Sequence, residues 1–247
     1  MANINDIYFD GHYKDIWREI NPPEITKVEV DFMISHFGLT KDSAVLDMMC
    51  GFGRHALALG RQGITVTAVD NLKAYTDEIA ETATKENLPV TTVQDNIFTY
   101  IPSQQYDLAI CMGNSLNFFP EEELLVILKT IVGSLKQGGS LLIHSYSLAE
   151  TVIKHFIART WTDIGELRIL SKSRYLFFPT RLDTETMMIT AGGEIEVKQA
   201  VDYIFSLSEM NKILASVGLS LKDVYTIPGR KKFALGDPYA YMIATKA

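Results

Sequence analysis

Residues 45–56 read VLDMMCGFGRHA. The segment Ala44–Asp47 has the composition of a buried strand and ends on a carboxylate. Gly51 and Gly53 follow, and a helix is expected from about Arg54 to Arg61. A strand that passes through a glycine turn into a helix brings backbone N–H groups up to a nucleotide-like ligand. The spacing Gly51-x-Gly53-x-x-Ala56 also fits the dinucleotide fingerprint, so the loop alone leaves two ligand classes open.

Working outward, strands and helices alternate. Ile64–Asp70 and Val90–Gln94 read as strands, the second followed by Asp95, with a polar helix over Thr76–Asn87 between them. Leu108–Met112 is a fourth strand and Leu141–Ser145 a fifth. Glu121–Lys136 is the clearest helix. Three glutamates fill its first turn, Leu124, Leu128, Ile131 and Leu135 make its apolar stripe, and Gly138-Gly139 is the expected stop. Upstream, Pro22-Pro23 opens a helix closed by Gly38. This alternation predicts an α/β, Rossmann-like open sheet, mostly parallel.

The pattern changes after Ser147. Residues 166–178, 181–190 and 194–205 read as three antiparallel strands, with Ala191-Gly-Gly-Glu194 as a hairpin turn. Ser206 and Glu209 form a capping box for a last helix, and Leu219–Ile227 with Tyr239–Thr245 read as a C-terminal antiparallel hairpin. The expected organisation is therefore a core over 1–150, an antiparallel β insert over 151–205, and a return to the core over 206–247.

Composition bounds the function. The chain has 247 residues, is 47% hydrophobic and 21% charged, and carries a net charge of −7. It has no extended basic stripe, which argues against a nucleic-acid partner. No apolar run approaches a membrane span, and MANINDIYFD lacks the regions of a signal peptide, so a cytoplasmic location is expected and no membrane partner. Cys50 and Cys111 are too few for a disulfide framework or a zinc site. Cys111-Met-Gly-Asn114 lacks the carboxylates magnesium wants, and no metal is expected.

The acids discriminate between the ligands. Asp47 lies four residues before Gly51, where it would repel a pyrophosphate and attract a cation. Asp70, 19 residues after Gly51, offers acceptors for a ribose diol, and Asp95 can accept from an adenine amino group. An acid at the end of each of the first three strands favours a cationic nucleoside such as S-adenosyl-L-methionine. The rival readings are an NAD-dependent oxidoreductase and a non-catalytic nucleoside-binding module.

In order, VLDMMCGFGRHA, ITVTAVDN, VTTVQDNIF, YDLAICMGNSLNFF and LKQGGSLLIHSY resemble the successive motifs of class I S-adenosylmethionine-dependent methyltransferases. The resemblance covers about residues 44–145, and the insert is similar to lids of small-molecule members. It implies that Asp47, Cys50, Gly51 and Gly53 hold the methionine end, Asp70 and Asn71 the ribose, and Asp95 and Asn96 the adenine. Cys111 and Met112 would line the site near Asn114. Met49 stands where the family often has glycine, and its side chain is expected to face the core.

The remaining candidates come from the residues themselves. Tyr13 and Trp17 could cover the cofactor, since aromatic faces attract cations. His144, at the end of the fifth strand, is the candidate base for an oxygen acceptor, whereas a neutral amine needs none in the chemical step. Arg174, Tyr175 and Tyr203 on the insert are the candidate contacts to a small-molecule methyl acceptor, N or O. The alternative role for the insert is packing, including the interface of a homodimer.

Overall fold

The computed structural model describes residues 3–247. A short 3-10 turn, Ile4–Ile7, precedes helices α1 (Tyr13–Ile20) and α2 (Pro23–Phe37). The core then runs β1 (Ala44–Met48), α3 (Arg54–Arg61), β2 (Thr65–Asp70), α4 (Lys73–Glu86), β3 (Val90–Gln94), β4 (Tyr106–Cys111), α5 (Glu121–Ser134) and β5 (Leu135–Ser145). Helix α6 (Ala149–His155) leads to β6 (Arg159–Ile164), β7 (Leu167–Phe177), β8 (Thr180–Ile189) and β9 (Ile195–Tyr203). The chain closes with α7 (Leu207–Ser216), β10 (Leu219–Ile227), β11 (Lys231–Lys232) and β12 (Ala240–Lys246).

One sheet of eight strands has the order β11-β10-β12-β5-β4-β1-β2-β3. Its β1–β5 neighbours pair parallel, and β12 enters antiparallel between β5 and β10. Side chains alternate across a strand. On β1, Leu46 and Met48 join the layer under α5 and α7, and Val45 joins the opposite layer, under α2 and α3. Asp47 falls on the second side, at the carboxyl end of the strand.

Two expectations change here. Helix α5 stops at Ser134, and Gly138-Gly139 lie inside an irregular start of β5 rather than closing the helix. A Cβ on Gly139 would stand 2.9 Å from the Lys136 carbonyl oxygen and 3.1 Å from that of Tyr106, so the tight approach to β4 requires glycine there. The insert has four strands, in the order β6-β7-β8-β9, not three. Strand β6 carries little apolar signal because it is an exposed edge, with only Ile164 half-buried.

The register gives the insert two different faces. Ile169 and Met188 are paired and buried, and they pack with Ile16 of α1. The next positions, Trp161, Leu170, Met187 and Val197, form a row across all four strands that points away from that cluster.

Candidate active site

A cleft of about 1140 Å³ opens at the carboxyl ends of β1 to β4, the edge where open α/β sheets bind ligands. Of the residues singled out above, it is lined by Tyr13, Trp17, Asp47, Cys50, Gly51, Asp70, Asn71, Asp95, Asn96 and Met112. The glycines do separate jobs. Gly51 has φ +54°, and a Cβ there would meet nothing within 4 Å, so its backbone is bare toward open space. Gly53 has φ +74° and caps α3, where a Cβ would come within 2.5 Å of Ile79 of α4. It does not line the cleft; its bare Cα lets α3 and α4 pack closely. Met49, expected to face the core, has φ +58° and lines the cleft while also touching the core layer.

Asp47 is 2% exposed, and its Oδ2 has no hydrogen-bond partner among the described residues. Burial pushes its pKa up to about 7, against the pull of Arg54 and with the repulsion of Asp70. Asp70 Oδ2 accepts from Gly51 N–H at 2.9 Å and Oδ1 from Leu72 N–H at 3.0 Å. That carboxylate therefore fixes the glycine loop as well as facing the cleft; burial raises its pKa and these N–H groups oppose the rise. Asp95 Oδ1 accepts from Asn96 N–H and Thr99 Oγ1, and among the described residues Oδ2 has no donor. Ser115 Oγ, also buried at the cleft, is unpaired as well. Unpaired buried acceptors are costly, and a ligand with ammonium and hydroxyl donors matches this set where a pyrophosphate does not.

The N-terminal segment closes the cleft from above, which its aromatic residues only hinted at. Asn5 donates to Phe118 O and to Val201 O and accepts from Val201 N–H, so one side chain satisfies the free edge of β9. Asp6 accepts from Asn71 Nδ2, Tyr75 donates to Phe9 O, and Arg18 and Lys14 pair with Glu78. Tyr13 stacks with Trp17 at 6.0 Å, and a Cβ on Gly113 would be 3.1 Å from the Trp17 ring. Asn5, Asp6, Phe9, Tyr75 and Phe118 all line the cleft and were missed; they carry no periodic signal.

Other candidates lie elsewhere. Cys111 is fully buried in the core layer, away from the cleft, and burial pushes its thiol far up. His144 does not line the cleft. Its Nδ1 accepts from Gly113 N–H at 3.3 Å, its Nε2 is buried and unpaired, and its ring stacks on Tyr241 at 4.6 Å. Burial lowers its pKa to about 4, and its one lone pair is engaged, which removes it as a base. Asn114 is buried behind the cleft wall in a network with Ser145, Ser147 and Asp202. Arg174 is 70% exposed and reaches Asp183 at 3.5 Å. Tyr175 packs on Phe156 and Phe177. Tyr203 packs against the core layer, and none of these three lines the cleft. Among the described residues no group of three or more His, Cys, Asp or Glu side chains could hold a metal ion.

The stretch from β1 to the turn in β5, residues 45–139, matches a family described as a methyltransferase domain. Over 103 residues, 42% of each chain, the protein is 33% identical to a ubiquinone biosynthesis O-methyltransferase of Rickettsia bellii. The chain thus spans less than half the length of that relative. The fold around the matched stretch extends the likeness. A structure of an S-adenosylmethionine-dependent methyltransferase from Clostridium acetobutylicum superposes with a TM-score of 0.80 at 16% identity, covering 90% of this chain and 92% of the other. CalS10, an amino pentose methyltransferase from Micromonospora echinaspora solved with S-adenosylmethionine bound, gives 0.72 at 16% identity, covering 96% and 98%. The core sheet and the insert together therefore share the fold of these methyltransferase structures. Among the described residues no helix is long and apolar enough to cross a membrane.

Proposed function

We propose that the protein transfers the methyl group of S-adenosyl-L-methionine to a small-molecule acceptor. The observation that carries this reading is the unpaired Oδ2 of Asp47, buried at the cleft beside a glycine backbone with Asp70 and Asp95 on the neighbouring strand ends. The proteins named above are all named methyltransferases, which supports this reading.

Bound there, the cofactor would supply a methyl group on a positively charged sulfur. The chain's part is placement. Asp47 and the Gly51 backbone hold the methionine end, Asp70 and Asn71 the ribose, and Asp95, Asn96 and the flanking Ile97 and Phe98 the adenine. Tyr13 and Trp17 present ring faces to the cationic end and exclude water. Alignment of this kind contributes on the order of 7–11 kcal/mol to a displacement. Two copies of the chain would associate through the Trp161–Val197 row of the insert, in which Trp161 is 68% and Val197 50% exposed.

Titration calorimetry tests the reading directly. S-Adenosylmethionine or its demethylated product should bind with a dissociation constant in the micromolar range, about −8 kcal/mol. Asp70→Ala should weaken this by about 1.5–3 kcal/mol, the scale of hydrogen bonds to a charged group. Binding of NAD without binding of S-adenosylmethionine would overturn the assignment, and cofactor binding without turnover for any acceptor would make the protein a binding module.

A further inference from the structure

The cleft is lined by four aspartates, Asp6, Asp47, Asp70 and Asp95, and among its lining residues Arg54 is the one arginine or lysine. Arg54 opens α3 directly after the glycine turn, and its side chain is only 9% exposed. Nη1 donates to Glu29 Oε2 and, at 3.0 Å, to Thr26 Oγ1, both on α2. Among the described residues Nε and Nη2 find no acceptor, yet neither is sealed in the interior as an unpaired atom. A guanidinium carries five N–H donors in a fixed fork, enough to serve two carboxylates.

The first of those carboxylates is Glu29, which is buried and held from three sides. Besides Arg54, His55 Nε2 donates to it at 2.9 Å and the Tyr241 hydroxyl of β12 at 2.8 Å. This grip fixes a long side chain at the foot of the glycine turn, so little rotamer freedom remains to be lost on binding. Burial lowers the pKa of His55, which leaves Arg54 as the permanent cation of the group. Across the turn stands Asp47, whose Oδ2 is unpaired and whose rise in pKa Arg54 opposes. An acid short of a donor and a guanidinium short of an acceptor thus border the same cleft, with the bare backbone of Gly51 between them in sequence.

Resting on the methyl-transfer reading, we propose that Arg54 recognises the carboxylate of the cofactor's amino-acid end, as Asp47 does its ammonium, and so selects a zwitterionic sulfonium nucleoside over a decarboxylated one. Glu29 is the positioning residue that holds the guanidinium for this contact. Charges then alternate along the site, from Glu29 to Arg54, to the ligand carboxylate, to the ligand ammonium, to Asp47, and each neighbours its opposite. Carboxylate recognition by a guanidinium fork is also bidentate, which adds direction to charge. The discrimination is not a by-product of the cleft's acidity. Four aspartates alone would favour the decarboxylated sulfonium, which carries two positive charges and no negative one. Arg54 is the residue that reverses this order.

The test titrates the full chain by calorimetry with S-adenosylmethionine and with decarboxylated S-adenosylmethionine, which keeps the sulfonium and the ammonium and lacks only the carboxylate. The wild-type protein should bind S-adenosylmethionine about tenfold or more tightly, the scale of one charge-assisted hydrogen bond. Arg54→Gln should abolish or invert that preference while the decarboxylated compound binds no more than about twofold more weakly than to the wild type, which also shows that the variant folds. Arg54→Lys keeps the charge but has one compact head for two carboxylates, so the preference should fall by about threefold or more, and this variant carries the test if Arg54→Gln does not fold. Equal affinities in the wild type, or a full preference in either variant, overturn the proposal while leaving cofactor binding standing. Failure of the wild-type protein to bind either compound overturns the methyl-transfer reading itself.

Discussion

Asp47 and Glu29 are both buried acids that feel the Arg54 guanidinium, yet their pKa values move in opposite directions. Burial works against the charge of Glu29, but hydrogen bonds from His55 and Arg54 overcome it and hold the carboxyl well below its usual range. Asp47 has no such partner, and burial takes it to about 7. The sign follows from which state binds more protons. Between the ordinary carboxylate range, near 4, and about 7, the ligand-free fold keeps a proton that the unfolded chain has lost. Stability should therefore fall as pH rises through that window and level off above it. Asp47→Asn should raise the melting temperature of the ligand-free protein at about pH 8 and leave it unchanged near pH 4, with a ceiling of about 4 kcal/mol for a shift of this size. The same substitution should weaken S-adenosylmethionine binding at about pH 8 by tenfold or more, as expected for losing one charge-assisted contact. Thermal melts and calorimetry across pH check both, and a variant whose melting temperature differs from the wild type by the same amount at the two ends would contradict the assigned protonation.

At the scale of elements, the N-terminal segment and β9 act as one cover. Asn5 is 3% exposed and makes three hydrogen bonds to Phe118 and Val201, so Asn5→Ala leaves β9 edge groups unpaired. The expected cost is about 1–3 kcal/mol, confined to the cover. Hydrogen exchange should rise for residues 3–20 and at Val201 while amides of β1, β4 and β5 keep their protection. Cofactor dissociation should quicken in the same variant. Tyr203, by contrast, packs against the core layer, and its carbonyl accepts from Asn117. Tyr203→Ala should lower stability by about 1–3 kcal/mol as a truncation of a half-buried side chain, with little change in acceptor KM. A raised KM at unchanged stability would return Tyr203 to the acceptor pocket.

For the whole molecule, the two faces of the insert set its role. One face meets α1 through Ile169 and Met188; the other carries Trp161, 68% exposed, and Val197, 50% exposed. The dimer proposed above should give twice the chain mass by light scattering, and Trp161→Lys should return it to a single chain because a charge in an apolar contact is not matched across the interface. A monomeric wild type at high concentration would remove this face from the account.

The sequence by itself determined the parallel core, the glycine turn and the acids at the strand ends. These follow from local rules: side-chain alternation, helical spacing, and the backbone angles only glycine adopts easily. It also marked the Ser206–Glu209 cap, because both partners lie within one turn. It misplaced the stop of α5 because Gly138-Gly139 serve a bulge against β4, a contact with another strand. Strand β6 escaped because an exposed edge needs no apolar alternation. The contacts that tie β9 to the rest of the fold were out of reach for a similar reason. Asn5 meets Val201, 196 residues away, and Asn114 meets Asp202, 88 residues away, and each asparagine is a polar residue in a segment whose periodicity says nothing of its partner. Only the folded sheet brings β9 over the ends of β4 and β5, where Asp202 meets Asn114.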